Sequence, residues 1–236
     1  MRIWDVSPGY LSRQRLLGEH RELHAIYAIV SERKTGYARH PETLRWRDSL
    51  GGLVARHAQL VAEMQLRGYM DRTPLQWRRL TSWPATFVTP PHEQFVLLRA
   101  KYDFVDSGRI PLPRSPQQLW AQHKYSVLAR SPDLYRDFGR VVSTMAARAS
   151  LRELAHALTL ALRLPPSSGR LVNALEHMWG YVAGRASADE RRRARAGPAA
   201  LLGVTQALAV RIEEPYLIAS TALGELGAYV AALPPE

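Results

Sequence analysis

The chain has 236 residues, 46% of them hydrophobic and 22% charged, so it can build a sizeable core and is not a globally disordered protein. It has no cysteine, which excludes disulfide bonds, thiolate nucleophiles and cysteine-based zinc or iron–sulfur sites. The net charge is +11, and only three of the 32 basic residues are lysines (Lys34, Lys101, Lys124). A basic, arginine-rich chain favours a polyanionic partner, although a GC-rich genome would produce part of the same bias.

Three helices are predicted in the first 70 residues. In the first, SPGYLSRQRLLGEHRELHAIYAIVSERK, Ser7 is the expected N-cap and Pro8 the first helical residue. Four apolar residues at helical spacing form its expected core face: Leu16, Leu23, Ile26 and Val30. A short helix is predicted from about Pro41 and a longer one from about Gly52, which Gly68 is expected to end.

Prolines interrupt the next stretch, DRTPLQWRRLTSWPATFVTPP, and predict a connector. A second group of predicted helices begins near His92, with a cap pair at Ser115 and Pro116 and a turn at Pro165–Pro166. No β alternation and no internal repeat is present. We therefore predict an all-α fold with two helical domains, an N-terminal three-helix unit over residues 1–84 and a C-terminal helical bundle over residues 92–236.

The first ten residues, MRIWDVSPGY, lack the apolar run of a signal peptide, and no stretch reaches the length of a membrane span. Together with the absence of cysteine, this predicts a soluble, cytoplasmic, nucleoid-associated protein without a membrane partner. We expect a monomer.

The N-terminal third carries a family resemblance. The stretches MRIWDVSPGYLSRQRLLGEHRELHAIYAIV, GYARHPETLRW and LVARHAQLVAEMQLRGY resemble the pyrimidine-dimer DNA glycosylase/AP-lyase family of the phage endonuclease V type, over about residues 1–80. The most specific element is the pairing of MRI at the start with EHREL about twenty residues later. The resemblance implies an endonuclease-V-like fold for this unit and damaged double-stranded DNA as its partner.

The chemistry that the resemblance implies uses an amine and a carboxylate. The amine attacks C1′ of the damaged nucleotide, expels the base and forms a Schiff base, while the carboxylate stabilises charge on the sugar and moves protons. A terminal α-amine has a pKa of about 7.7–8, against about 10.4 for lysine, so more of it is unprotonated at neutral pH. In this sequence the resemblance assigns the amine to Met1 and the carboxylate to Glu22. No cofactor and no metal are expected.

Two departures from the family pattern bear on this assignment. Arg2 is too large for ordinary removal of the initiator methionine, so the nucleophile is expected to be the amine of Met1 itself. His24 and Ala25 stand where the family has a proline and a further arginine, which affects lesion preference more than Schiff-base chemistry. The alternative for Glu22 is an ordinary salt-bridged helix residue, although its neighbours three and four residues away include no cation.

Several basic residues are expected to contact DNA. The resemblance assigns phosphate contacts to Arg2 and Arg21, and Arg15 lies seven residues before Glu22 on the same helical face. The stretch RKTGYARHPETLRWR adds Lys34, Arg39 and Arg45, interleaved with Tyr37 and Trp46. Cations for phosphates and aromatic rings for an unstacked base suit a base-flipping enzyme, whereas the alternative is a solvated loop with both rings in the core.

His20 and His24 are four residues apart on one predicted helix, a spacing that can chelate a metal. However, HRELH is not the H-E-x-x-H motif of zinc proteases, and a third ligand would have to come from His40, His57 or elsewhere. The sequence alone therefore favours an accessory role for His24, in DNA contact or proton transfer.

The C-terminal half resembles a small uncharacterised helical bacterial domain that is also found attached to thiouracil-desulfurising proteins. The elements HKY, NALEHMWGY and EPYL carry this resemblance, which implies a domain assignment but no activity. Five residues are candidates for a nucleic-acid or nucleobase surface: His123, Lys124, Tyr125, Asn173 and His177. Alternatively, Asn173 and His177 brace the bundle, and the run ERRRARAG is either a phosphate contact or a solvated turn.

The sequence thus predicts a DNA-repair glycosylase with AP-lyase activity on pyrimidine-dimer or abasic DNA. Two alternatives stay open: a non-catalytic nucleic-acid-binding protein, and an enzyme that acts on modified nucleobases or RNA.

Overall fold

The structure, a computed structural model, describes residues 1–76, 82–102, 106–144 and 149–231. These residues form helices and loops without a strand, which confirms the all-α prediction. The predicted connector includes residues 77–81, which lie outside the described residues. The longer helices are α1 Arg13–Ser31, α2 Pro41–Trp46, α3 Leu50–Leu66, α4 Pro91–Tyr102, α5 Pro116–Leu128, α6 Pro132–Thr144, α7 Ala149–Leu162, α8 Ser168–Trp179, α9 Ala188–Ala194 and α10 Pro198–Arg211.

Short helices complete the described chain. Two are 3-10 helices, η1 Pro8–Tyr10 and η2 Ala183–Arg185, and three are single α-turns near the C-terminus, α11 Pro215–Ile218, α12 Ala222–Glu225 and α13 Gly227–Val230. Among the described residues, no helix is both long enough and apolar enough to cross a membrane.

The first predicted helix is divided in two. Ser7 caps η1, where its hydroxyl accepts from the Gly9 amide, and α1 begins only after Ser12, whose hydroxyl accepts from the Arg15 amide. The chain therefore holds two cap signals five residues apart, and the second starts the long helix. Residues 1–6 are left as a segment without regular secondary structure that lies against α1.

The two later helices of the N-terminal unit begin close to where they were predicted. Pro41 is the first residue of α2, and the His40 side chain accepts from the Glu42 amide as its N-cap. α3 ends at Leu66, and Gly68 follows with a φ of +79°, the left-handed conformation that commonly terminates a helix. α1 packs on both α2 and α3.

The helices near the C-terminus are short. Gly197 and Pro198 separate α9 from α10, because Gly197 has a φ of +130° and Pro198 starts a new helix. The described residues after α10 form α11, α12 and α13. Ser115 caps α5 as predicted, and its hydroxyl accepts from the Gln118 amide.

The apolar core crosses the predicted domain boundary. One cluster joins Ile3, Leu23 and Leu53 to Phe95 and Leu158, which lie beyond the connector. A second cluster is built by α5, α8, α10 and the short C-terminal helices. The limits 1–84 and 92–236 stay predictions, but the two halves share side chains of one core.

A buried ion network adds to this contact. Glu63 on α3 accepts from Arg67 Nε at 2.8 Å and from Arg109 at 2.9 and 2.7 Å. Arg109 also donates to the carbonyl of Ser220 at 3.1 Å. A Cβ at Gly224 would collide with the Glu63 carboxylate, so this position needs glycine. The network fixes α3 to the C-terminal helices.

Candidate active site and histidine cluster

The N-terminal segment, residues 1–6, is held on α1 by two glutamates. The Arg2 amide donates to Glu22 Oε2 at 2.5 Å, and the Trp4 amide donates to Glu19 Oε1 at 3.1 Å. The amides of Arg2 and Trp4, two residues apart, therefore point to the same side of the segment, and residues three apart on a helix share a face. The spacing of the two amides matches the spacing of the two glutamates, so Glu22 accepts from Arg2 and Glu19 accepts from Trp4.

Gln94 on α4 fixes the opposite side of the segment. Its Oε1 accepts from the amides of Asp5 and Val6 at 2.8 and 3.4 Å, and its Nε2 donates to Asp5 Oδ2 at 3.0 Å. The Asp5 carboxylate also pairs with Arg45 and with Arg163. The segment that carries Met1 is therefore clamped between α1 and α4.

Glu19 is a structural carboxylate. It is buried, and both its oxygens accept from Arg56, at 2.8 and 3.0 Å, while Arg56 donates to the Val6 carbonyl at 3.0 Å. Burial raises the pKa of Glu19 to about 7, against the lowering effect of Arg56. No local sequence pattern indicates this pair, because Arg56 lies 37 residues away on another helix.

Glu22 is in a different situation. It is half-buried, and the amide of Arg2 is its hydrogen-bond partner. The amine of Met1 and the amide nitrogen of Arg2 are separated by two backbone carbons, so standard geometry keeps them within about 3.6 Å. With the 2.5 Å bond from Arg2, the carboxylate of Glu22 lies within about 6 Å of the Met1 amine. The structure thus brings together the two residues that the resemblance assigns to catalysis.

Three cations gather beside this pair. Arg2 stacks over the Trp4 ring at 5.0 Å and donates to Thr89 Oγ1 at 3.3 Å. Burial, followed by the nearby charges of Arg15 and Arg2, lowers the pKa of Lys101 on α4. Among the described residues, none of the three has a carboxylate within ion-pair distance. We call Arg2, Arg15 and Lys101 the N-terminal cation patch. Lys101 was not predicted, since only the fold brings α4 to this site.

Arg15 also has a hydrogen-bond donor that the described residues do not use. Its Nε is buried and has no hydrogen-bond partner among the described residues. Buried donors are usually paired, and a functional role is one explanation for an exception.

The other predicted DNA contacts are spread over the surface. Arg21 is exposed and is turned about 100° around α1 from Glu22. Lys34 and Arg39 are exposed on the loop after α1, which begins about 14 Å along the helix axis from Glu22. Tyr37 on this loop is 73% exposed, whereas Trp46 is buried and donates to Glu42, so only Tyr37 is available to a base.

The predicted DNA contact of Arg45 is not supported. Its side chain is only 3% exposed and pairs with Asp5 and, at 2.9 Å, with Glu42. Its Nε donates to the Thr86 carbonyl at 2.9 Å. The guanidinium therefore binds the N-terminal segment and is not free to contact DNA. The sequence could not show this, because Asp5 lies 40 residues away.

His24, predicted to contact DNA or assist proton transfer, lies in a cluster with three other metal-ligating side chains. His20 and His24 on α1 meet His57 on α3 and Asp71 just after α3, and one ligand atom from each lies within 4.8 Å of all the others. His57 Nε2 is 3.1 Å from His24 Nε2 and 3.2 Å from His20 Nε2. The further histidine that the fold brings to this pair is thus His57, whereas His40 caps α2 elsewhere. We call these four residues the histidine cluster.

Burial favours the neutral form of two of these imidazoles, His57 and His24. It lowers the pKa of His57 to about 4, against the opposing effect of Asp71, and with the charge of His20 it lowers the pKa of His24. A neutral imidazole retains a lone pair that can bind a metal.

The five candidates of the C-terminal half do not form one surface. His123 is buried, contacts the Leu119 carbonyl at 2.8 Å and lies 3.4 Å from the Tyr10 hydroxyl. Lys124 lies over the rings of Tyr125 and Tyr216, and His177 stacks against Tyr125. Asn173 is exposed on α8. Lys124, Tyr125 and His177 are therefore together, and His123 belongs to the core contact between the halves.

The arginine-rich run ERRRARAG forms most of α9 and the turn after it. Arg192 and Arg193 pair with Asp189 on the same helix, and their side chains are more than 60% exposed. This arrangement agrees with the interpretation of the run as a solvated segment rather than as a phosphate contact.

Comparisons with known proteins match the two halves to different families. No curated protein and no solved structure gives a significant match. Residues 124–196 match a family described as a protein of unknown function (DUF1722). Residues 1–76, which hold Met1, Glu22 and the histidine cluster, match the family described as pyrimidine dimer DNA glycosylase, so the two-part resemblance is confirmed and the match supports a glycosylase-type function on DNA for the N-terminal part.

Proposed function

We propose that this protein is a DNA glycosylase and AP lyase in which the α-amine of Met1 is the nucleophile and Glu22 the acid/base. The observation that carries the proposal is the bond from the Arg2 amide to Glu22 Oε2, at 2.5 Å, which holds a carboxylate beside the first residue. The family match of residues 1–76 supports the same class of reaction.

In the first step the amine lone pair attacks C1′ of the damaged nucleotide. The bond between C1′ and the base breaks, and its electron pair leaves with the base, which takes up a proton. Opening of the C1′–O4′ bond, with a proton delivered to O4′, then gives an iminium ion between Met1 and the sugar. Glu22 accepts the proton that the amine loses and stabilises positive charge on the sugar.

In the second step a proton is removed from C2′. Its electron pair moves towards the iminium carbon and expels the 3′ phosphate, which breaks the strand by β-elimination. Water then hydrolyses the imine and regenerates the Met1 amine. In this proposal Glu22 takes up the C2′ proton, and the imine itself is the electron sink.

The N-terminal cation patch would hold the DNA backbone during both steps. Arg2, Arg15 and Lys101 have no carboxylate partner among the described residues, so phosphate oxygens can take up their free donors. Arg21, Lys34 and Arg39 are exposed and would extend the contact along the duplex. We propose damaged double-stranded DNA as the substrate.

The proposal requires a free amine on Met1. Arg2 disfavours removal of the methionine, whereas a retained formyl group or a preceding residue would block attack. One added residue would also move the amine by about 3.5 Å, beyond the position that Glu22 holds.

Borohydride trapping tests the proposal, because it reduces the imine to a stable amine. The full chain is incubated with duplexes that contain either a pyrimidine dimer or an abasic site, and the adduct is located by peptide mass spectrometry. We expect adducts on the peptide that begins at Met1 with both duplexes. An adduct with the abasic duplex alone would restrict the activity to the lyase step. An adduct on a lysine, or none on either duplex, would overturn the proposal.

The matched variants are Glu22→Gln and Glu32→Gln. Both remove one carboxylate of α1 or its C-cap, but Glu32 is exposed and pairs with Lys34 at 2.9 Å. Glu22→Gln should lower the trapping rate by about 10²–10⁴-fold, the usual contribution of a general acid/base. Glu32→Gln should trap at the wild-type rate.

A further inference from the structure

The histidine cluster has a geometry that its own hydrogen bonds do not explain. In an imidazole each ring nitrogen carries either one N–H or one lone pair in the ring plane. His57 Nε2 faces two other Nε2 atoms, at 3.1 and 3.2 Å, so it can satisfy at most one of these contacts. His24 Nε2 is shared in addition with Thr73 Oγ1 at 3.1 Å. Three nitrogens that converge in this way share a position suited to a cation.

Carboxylate oxygens close the fourth side of the group. Asp71 Oδ1 lies 3.3 Å from His20 Nε2, and Asp71 Oδ2 lies 3.7 Å from His57 Nε2. The Thr73 amide donates to Asp71 Oδ1 at 2.9 Å, which orients the carboxylate as outer-shell partners of metal ligands do. The donors come from α1, α3 and the segment after α3, so they do not belong to one local turn.

We propose that His20, His24, His57 and Asp71 bind one divalent transition-metal ion of the zinc class. Zinc–nitrogen bonds of about 2.0–2.1 Å in a tetrahedron place neighbouring ligand atoms about 3.3 Å apart. Four separations within the cluster, 3.1–3.7 Å, bracket that spacing, and all four ligand atoms lie within 4.8 Å of one another. Three imidazoles and one carboxylate suit zinc better than magnesium or calcium, which prefer oxygen ligands.

The site is separate from the proposed reaction centre. His20 and His24 each lie two residues from Glu22, which turns them about 160–200° around α1. Glu22 faces the N-terminal segment, whereas the two histidines face α3 and the segment after it. With four protein ligands, the ion would be structural, as closed four-coordinate zinc sites are. It would fix the rotation of α1 about its axis and so the direction in which Glu22 points.

Metal binding is measured on the full chain without DNA, so its failure and that of the proposed glycosylase are distinguishable. The protein is stripped with a chelator and titrated with Zn²⁺ alone, and bound zinc is counted by elemental mass spectrometry. We expect one zinc per chain. A hundredfold excess of Zn²⁺ over its dissociation constant should raise Tm by about 5–10 °C. Co²⁺ in the same site should give the visible absorption bands of a tetrahedral complex.

Three variants test the assignment. His24→Ala and His57→Ala should each weaken zinc binding by at least about 100-fold, since even outer-shell partners contribute 10–100-fold. His24 is only partly buried, so His24→Ala keeps the test valid if the buried His57→Ala variant does not fold. His156→Ala is the control, because His156 is exposed on α7 and contacts Phe87 instead. Zinc at less than one-tenth of the chain concentration, or binding that His24→Ala leaves unchanged, would overturn the proposal.

Discussion

Two regions of this molecule carry charged residues in opposite ways. At the contacts of α3 with α1 and with the C-terminal helices, buried charges are paired: Glu19 with Arg56, and Glu63 with Arg67 and Arg109. At the N-terminal cation patch, Arg2, Arg15 and Lys101 lack a carboxylate partner among the described residues. The first region uses its charges to hold helices together. The second leaves its cations free to bind an anion such as a phosphate.

Glu19 and Glu22 make this contrast on a single helix. They lie three residues apart, and both accept a backbone amide of the N-terminal segment. Glu19 is buried and takes two hydrogen bonds from a guanidinium, whereas Glu22 is half-buried and keeps acceptor capacity. The carboxylate that the fold needs therefore has its hydrogen-bonding capacity taken up by Arg56 and Trp4. The carboxylate proposed for catalysis is held in place by one backbone amide and can still accept further hydrogen bonds.

The largest expected effect on stability comes from replacing each of these two glutamates by glutamine in turn. Glu19→Gln places an amide NH2 where one of the two oxygens accepts from Arg56, which leaves a buried donor unsatisfied and should lower the free energy of unfolding by about 1–3 kcal/mol. Glu22→Gln should change that free energy by no more than about 0.5 kcal/mol, while the trapping rate falls. Urea unfolding of both variants, compared with Glu32→Gln, measures the difference. Equal losses of stability in the two variants would break the distinction.

A smaller effect is expected from pH, and it sharpens the contrast between Glu63 and Glu19. Burial alone would raise the pKa of Glu63, but Arg109 and Arg67 outweigh it, and the pKa falls below the ordinary 4.5. A lowered folded-state pKa means that Glu63 stabilises the fold above pH 4.5 and that this stability is lost as the pH falls through the folded value. Glu19, with a pKa raised to about 7, has the opposite slope, since stability falls as the pH rises from 4.5 to 7.

Thermal unfolding between pH 3 and pH 8 measures both slopes. The difference in stability between wild type and Glu63→Gln should be greatest above pH 4.5 and should narrow as the pH falls below it. The difference between wild type and Glu19→Gln should instead shrink as the pH rises from 4.5 to 7. Glu93→Gln on the exposed side of α4 is the control and should follow wild type throughout.

Most of the helices could be predicted from the sequence because their signals are local. Ser115, Pro116, Pro41 and Gly68 act within one turn of the helix end that they define. The start of α1 was predicted wrongly because Ser7 and Ser12 are both valid caps. In the structure both serines act as caps, Ser7 for η1 and Ser12 for α1.

The site was predictable only where a family pattern supplied the pairing. Met1 and Glu22 came from that resemblance, and no local rule would have joined them. Lys101 and Asp71 were missed, and Arg45 was assigned to DNA, because each depends on a partner brought near by the fold. The spacing of His20 and His24 in the sequence indicated half of the histidine cluster. It could not identify His57 on α3 or Asp71 after it, because those residues are brought near only by the fold.

The smallest effect tests whether the N-terminal cation patch contacts DNA. Each phosphate contact contributes about 0.9 to the slope of log K against log salt, because neutralising a phosphate releases condensed counterions. Lys101→Gln should therefore lower that slope by about one without changing base preference. Arg136→Gln removes the same charge from α6, but Arg136 is already paired with Asp133, so its slope should stay at the wild-type value. Binding of an abasic-site duplex between 50 and 200 mM salt, with Glu22→Gln as the inactive background, separates the two variants. A slope that falls equally in both would show that net charge, rather than the unpaired cations beside Glu22, drives DNA binding.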